Sequence, residues 1–390
     1  MPVNYQELRA QISAMGAQWQ QWTSARNDQV QAANALFERF SAFTPDLRNL
    51  AITELAAKPD LRCALPTPEP LNAAKSCPVF DSPLVVMAAD GSQIIPSRHD
   101  RIEFGLLNIG AIRMPIKTGM PASEITRTEL LLLEKLYTPA GRIQEDLLSL
   151  RRDMLERQLI ADLTRDESLP VVALTDGPLE PYNRQKQDAE FDAALREYGA
   201  SLEALTQSQT VLAGYVDRPG SDLVVRLLEL AKREAGIGEQ AQHPFNQVRD
   251  LDLFTPILQP GQRSALFELS SPVTRKMSGQ LSFYFFYLCL GNAANKSMAR
   301  IEIPGWVAEN SALLDMLQSV LLHQASQLGG QPYPYVLHRA HEVALVTYEE
   351  KERIETMLVQ ELMKQGHQTR GKSAKSGYKS QVGTKTRYIR

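Results

Sequence analysis

Apolar positions recur with two different periods along this chain. From residue 4 to about 43, Leu8, Ile12, Met15, Trp19, Trp22, Val30, Ala33, Leu36, Phe37 and Phe40 fall at helical spacing among Gln, Arg and Asn. That spacing predicts one long amphipathic helix, or a helical hairpin broken near Ser24 to Asp28. Thr44-Pro45-Asp46 opens a second, short helix through Leu55. A helix this long outside a core commonly packs on another chain, so residues 1–58 are expected at a dimer interface or against another subunit. Pro59, Pro66, Pro68, Pro70, Pro78 and Pro83 make residues 59–83 a connector.

At Leu84 the pattern shifts to short, β-branched apolar runs. LVVMAADGS (residues 84–92) and its echo VVALTDGPL (residues 171–179) each read as a buried strand ending in Asp-Gly, with Asp90 and Asp176 at the strand ends. RIEFGLLNIGAIRM (residues 101–114) predicts two short strands around Asn108 to Gly110. Residues 124–164 read as helical, with Leu147, Leu148, Leu150, Met154, Leu155, Leu159 and Leu163 on one broad face and Glu156 at its margin. Further on, the spacing predicts helices over 188–207, 222–234, 307–328 and 348–364. It predicts strands over 211–217, 281–290, 299–304 and 343–347, with 236–275 irregular. A meander followed by strand and helix alternation implies an α/β fold, a mixed sheet with helices on its faces.

Composition adds little until charge is followed along the chain. No apolar run approaches the length of a membrane span, and the start MPVNYQELRAQ lacks a secretory signal pattern, so a cytoplasmic protein without membrane contact is expected. Cys63, Cys77 and Cys289 contain no CxxC pair, which fits a reducing compartment. Residues 1–361 carry 34 basic against 45 acidic groups, a net −11, whereas the remainder holds eight Lys/Arg and no acid. A basic tail, residues 365–390, low in complexity and expected to be disordered, thus follows an acidic body.

Several chemistries drop out on motif grounds. The chain contains no GxSxG or HExxH, and its single GxxxxGK[ST] match, residues 366–373, lies in the low-complexity tail with no predicted strand directly before it, which argues against a P-loop ATPase, a nucleophilic serine hydrolase and a thermolysin-like zinc enzyme. What remains is a carboxylate set in the order strand, helix, strand: Asp90, Glu156 and Asp176. Two strand-end aspartates with a helix glutamate are what a sheet needs to hold one or two hard divalent ions over its edge. Taken singly, Asp-Gly is a common turn signal and a glutamate beside an apolar stripe is a solvated flank residue. A second constellation, QPYPYVLHRAHEVALVT (residues 331–347), places His341 before a predicted strand, with Tyr333 and Tyr335 on a proline-stiffened segment. Such a histidine can ligate a metal or protonate a leaving group.

Together AADGS, the helix glutamate, LTDGPL, GYVDRP, RIEIPGW and YPYVLHRAHEVALV resemble the NurA nucleases over roughly residues 80–350. The resemblance implies an RNase H-like domain over 84–364, an N-terminal helical extension, and Mn²⁺-dependent (or Mg²⁺-dependent) endo- and exonuclease activity on DNA. It further implies 5'-3' end resection in double-strand break repair, a homodimer and a HerA-like hexameric ATPase partner. On this reading Asp90, Glu156, Asp176 and His341 are metal ligands and Tyr333 is a further catalytic residue. Glu129 and Glu145 compete with Glu156 for the glutamate role, and Asp217 is a further candidate. Pro178 stands where the family commonly has serine. A non-catalytic adaptor of the same fold and an RNA-directed nuclease are the competing readings.

Overall fold

The computed structural model describes residues 3–76, 79–138, 141–181, 189–237, 243–277 and 279–367. In chain order the elements are α1 (Tyr5–Phe40), α2 (Thr44–Ala57), β1 (Cys63–Pro66), β2 (Leu84–Ile94), β3 (Gly105–Ile116), β4 (Ser123–Leu131), β5 (Tyr137–Thr138) and β6 (Gly141–Arg142). Next come α3 (Glu145–Thr164), β7 (Val171–Asp176), α4 (Ala189–Gln207), β8 (Val211–Asp217), α5 (Leu223–Glu234), α6 (Asp250–Ile257) and β9 (Phe267–Ser270). The last are β10 (Phe283–Asn292), β11 (Asn295–Pro304), α7 (Gly305–Ala308), α8 (Ser311–Ala325), α9 (Tyr335–Ala344) and α10 (Tyr348–Lys364). The chain divides into two compact units. The first takes the chain up to Phe80 with Gly177–Glu180 and Ala213–Tyr333, and the second takes Asp81–Asp176, Pro181–Leu212 and the chain from Pro334.

In the second unit β2, β3 and β4 form an antiparallel meander, and β7 lies parallel to β2 on its other side. Helix α3 links the meander to the parallel strand. Three antiparallel strands, a crossover helix and a parallel strand beside the first make the RNase H-like arrangement expected from the sequence. The inner strands β2 and β7 begin as unbroken buried runs, as strands covered on both faces must. Outer strand β4 is largely exposed and carries Glu124, Arg127 and Glu129, charges that suit an unpaired edge.

In the first unit β1, β9, β10 and β11 follow one another in antiparallel order, and β8 pairs antiparallel with β11 from Ala299↔Asp217 to Glu302↔Gly214. Its core is aromatic: Phe254 stacks on Tyr287 and Phe267 on Phe285, with ring centroids 4.8 and 5.5 Å apart. Buried Asp250 accepts hydrogen bonds from the Val224 and Val225 amides, both at 2.9 Å, and from the Tyr287 hydroxyl at 2.6 Å. It thereby satisfies the open N–H groups at the start of α5. Helix α1 is a single 36-residue helix. Its C-terminal half buries Ala33, Leu36 and Phe37, and Arg26 pairs with Asp252 at 2.8 Å.

Five expectations change, the first being that residues 236–275, read as irregular, carry α6 and β9. The proline-rich connector carries β1, which pairs with β9 between its prolines. Residues 101–114 contain one long strand, because Asn108 to Gly110 pair continuously with Ser92, Gly91 and Asp90. The start of the stretch read as helix, residues 123–131, is edge strand β4. The late strand read over 343–347 is instead the end of helix α9, whose Val336, Leu337, Ala340 and Ala344 are buried at helical spacing. Cys63 and Cys289 are buried free thiols. Cys77 and the basic tail from residue 368 lie outside the described residues. Among the described residues no helix is long and apolar enough to cross a membrane.

Candidate active site

Strand β2 does not end at Asp90. Its parallel pairing with β7 stops at Ala89↔Thr175, while its antiparallel pairing with β3 continues to Ile94↔Leu106. Asp90 therefore stands at the first position where β2 has lost one neighbour. The opening at a sheet edge that the sequence predicted exists, but it comes from the shorter strand. Asp90 Oδ1 accepts a hydrogen bond from the Gly91 amide at 2.8 Å, and its Oδ2 lies 2.7 Å from His341 Nδ1.

His341 reaches Asp90 because α9 sits directly on the β2–β3 ladder. Asp90 pairs in register with Gly110. A Cβ built on Gly110 would fall 2.4 Å from the Ala344 nitrogen and 2.7 Å from the Val343 carbonyl carbon, so only glycine admits the helix backbone here. Two residues along, the register pair Ser92 and Asn108 both donate to the Ala344 carbonyl, from Oγ at 2.6 Å and Nδ2 at 2.9 Å. With the last turn of α9 fixed in this way, His341 lies over Asp90. A proton on Nδ1 donated to the carboxylate leaves Nε2 turned away from Asp90, on a side chain that is 61% exposed.

Glu156 approaches from α3. It is only 4% exposed, so it is not the solvated flank residue its spacing suggested. One carboxylate oxygen would lie 2.8 Å from a Cβ on Gly91, beside the Arg152 side chain. Arg152 Nε stands 3.4 Å from Oε1, and Arg157 Nη1 stands 3.6 Å from Oε2. Burial, together with the charges of Asp153 and Asp90, pushes the Glu156 carboxyl up to about 8, against the opposing pull of Arg157 and Arg152.

That shift has a definite sign. Between the unfolded value and about 8, the folded protein holds a proton that the unfolded chain has released. Stability contributed by this group therefore falls as pH rises through that window. In the absence of divalent ions, Glu156→Gln is expected to melt like wild type near pH 4 and to be the more stable protein near pH 9, by on the order of a few kcal/mol. Thermal melts across that pH series check this, and parallel melting curves would refute it.

The remaining candidates are distributed unevenly. Asp176 ends β7, one residue past the last pair with β2, and is exposed. Glu129 lies on β4, ion-paired with Arg151 at 2.5 Å, and Glu145 is exposed in the first turn of α3. Neither is the glutamate beside Gly91. Tyr333 and Asp217 belong to the first unit, where both line a cleft of about 590 Å³ with Arg218, Thr255, Lys296 and Gln331. Tyr333 packs edge-to-face on buried Tyr215, with centroids 5.3 Å apart. Asp217 is 45% exposed, with the Arg218 Nε 4.0 Å away.

Three contributors are absent from the motif reading. Arg152 passes its alkyl stem over Gly91, which explains the glycine after Asp90 better than a turn does. Gly110 admits α9. Fully buried Glu302, from RIEIPGW, accepts from the Leu179 and Glu180 amides at 2.9 and 3.2 Å and from Arg300 at 2.7 Å, fixing the loop that follows Asp176 in sequence. Its position inside a motif was visible, but its anchoring role was not.

Carboxylate oxygens are the right donors for a hard divalent cation. Among the described residues, however, no three of His, Cys, Asp and Glu converge at metal-holding distance. Asp90 is engaged by His341, and Glu156 lies beside Arg152 and Arg157.

Comparison with known proteins follows the same segment. No curated protein matches the chain. Among solved structures, the NurA nuclease from Sulfolobus solfataricus aligns over 76% of this chain and 89% of its own, at 13% identity and a TM-score of 0.48. LC9-RNase H1, a type 1 RNase H with the type 2 active-site motif, aligns over 40% of this chain and 74% of its own, at 14% identity and a TM-score of 0.23. The NurA domain family model matches residues 84–346, which include Asp90, Glu156, Asp176, Asp217, Tyr333 and His341. Spanning most of the chain, that match places this protein in the NurA family.

Proposed function

We propose that this protein is a divalent-metal-dependent DNA nuclease that hydrolyses phosphodiester bonds as an endo- and exonuclease. Its role is 5'-3' end resection in double-strand break repair, as a homodimer working with a HerA-like hexameric ATPase. The observation that carries the reading is the Asp90–His341 contact at 2.7 Å with Glu156 beside it, inside the family-matched segment. Asp90, Glu156 and Asp176 would hold Mn²⁺ or Mg²⁺. The ion would orient an attacking water and stabilise the leaving oxygen.

The chain's own residues do the rest. His341, oriented through Nδ1 by Asp90, presents Nε2 to take up or deliver a proton at a phosphate oxygen. Arg152 and Arg157 offset part of the negative charge next to Glu156. Tyr333 offers a hydroxyl to a phosphate oxygen, and basic residues of the tail add salt-dependent backbone affinity.

An assay on single- and double-stranded DNA tests the reading. Cleavage is expected with Mn²⁺ or Mg²⁺, and EDTA is expected to abolish it until metal is restored. Undiminished cleavage in EDTA would overturn the metal dependence. Failure of calorimetry to find an Mn²⁺ site that depends on Asp90, with no cleavage of either substrate, would leave the family scaffold acting as an adaptor.

A further inference from the structure

The N-terminal half of α1 carries a stripe that the described residues of its own unit leave half exposed. Tyr5, Leu8, Ile12, Met15, Trp19 and Trp22 alternate at spacings of three and four. They are 58, 40, 53, 54, 56 and 46% exposed, whereas the buried side chains of the helix begin at Ala33. The six residues precede the segment matched by the family model, which starts at residue 84. A globular core takes a broad apolar face; a single a/d row is the seam of a helix pair.

We propose that this seam is closed by α1 of a second copy of the chain, paired antiparallel about the point between Ser13 and Ala14. The inference rests on the self-association part of the proposed function and supplies its surface. In the antiparallel register each layer joins a larger and a smaller side chain: Trp22 with Tyr5, Trp19 with Leu8, and Met15 with Ile12. A parallel pair in register would instead set each tryptophan against its own copy. Residues 10–25 contain no charged side chain, so self-pairing brings no like charges together. They also supply no basic rim of the kind that draws a helix to anionic lipid. With each aromatic side chain able to bury about 150–250 Å², the half-exposed stripe offers roughly 600 Å² per copy. That gives roughly 1,200 Å² in all, the lower end of specific interfaces.

Light scattering coupled to size exclusion tests the seam. Wild type is expected as a dimer, and the double variant Ile12→Lys, Trp19→Lys as a monomer with unchanged circular dichroism, while Ile12→Leu remains a dimer. Two of the three tryptophans lie in the seam and Trp306 is buried, so diluting wild type should shift the tryptophan emission to the red. In Leu8→Cys, Trp19→Cys protein treated with oxidised glutathione, peptide mapping should find an 8-to-19 link between chains. Links of 8 to 8 or 19 to 19 would overturn the antiparallel pairing. A lysine double variant that stays dimeric would overturn the seam and leave the homodimer standing, and a monomeric wild type would overturn both.

Discussion

Asp90→Asn is expected to abolish metal-dependent DNA cleavage while leaving the fold in place. The substitution keeps the shape of the side chain and an oxygen for the Gly91 amide, which now donates at 2.8 Å. It removes the negative charge that faces His341 Nδ1 at 2.7 Å and that would bind a divalent ion. Disturbing a mere partner of a metal ligand costs about 10–100-fold, so losing a ligand that also orients the histidine should cost more, at least about a hundredfold. The thermal midpoint is expected to stay close to wild type, since the ion-pair partner of Asp90 among the described residues is the exposed His341. Cleavage rates with Mn²⁺ and a melting curve on the same preparation check both halves. Cleavage at the wild-type rate would remove Asp90 from the site.

Gly110→Ala is expected to damage both stability and activity, although Gly110 touches no substrate. The nearest atoms to the added carbon are backbone: Ala344 N at 2.4 Å, Val343 C at 2.7 Å and Ala344 Cα at 2.9 Å. Backbone cannot rotate aside, so α9 must lift from the sheet. The Ala344 carbonyl then loses its two donors, and His341 is drawn off Asp90. Overpacking a close contact costs about 1–3 kcal/mol, and the unseated hydrogen bonds add about 1 kcal/mol each. Gly91→Ala is the control: its nearest neighbours are Arg152 Cγ and Cδ and a Glu156 oxygen, side chains that can swing away. The alanine at 110 should therefore lower the melting point more than the alanine at 91. Equal melting points with full cleavage would show that α9 is not seated as described.

How much of this was legible from residue order depends on the range of the forces involved. The buried cores of β2, β7 and β8 were readable because a strand covered on both faces is apolar throughout. The long helices α1, α4, α5 and α10 were readable from their period. Asn108 to Gly110 misled because glycine in a strand signals a turn unless something approaches from above, and what approaches is α9, more than two hundred residues away in sequence. β4 misled because an exposed edge strand has no apolar face to alternate with a polar one. α9 misled because Val343 to Val346 form a short apolar run, where helix and strand patterns cannot be told apart. For the site, Asp90, Glu156 and His341 were marked by motif, whereas Arg152 and Gly110 act only through contacts formed in the folded chain.

The Asp90–His341 contact joins residues 251 positions apart. Contacts of such separation form late, since the intervening chain must be ordered before they repay the entropy of closure. During synthesis, a chain that has emerged only as far as residue 333 has its first aspartate but neither the histidine nor the Ala344 carbonyl that caps Ser92 and Asn108. The Asp90–His341 pair is therefore absent from nascent and truncated chains that stop short of α9.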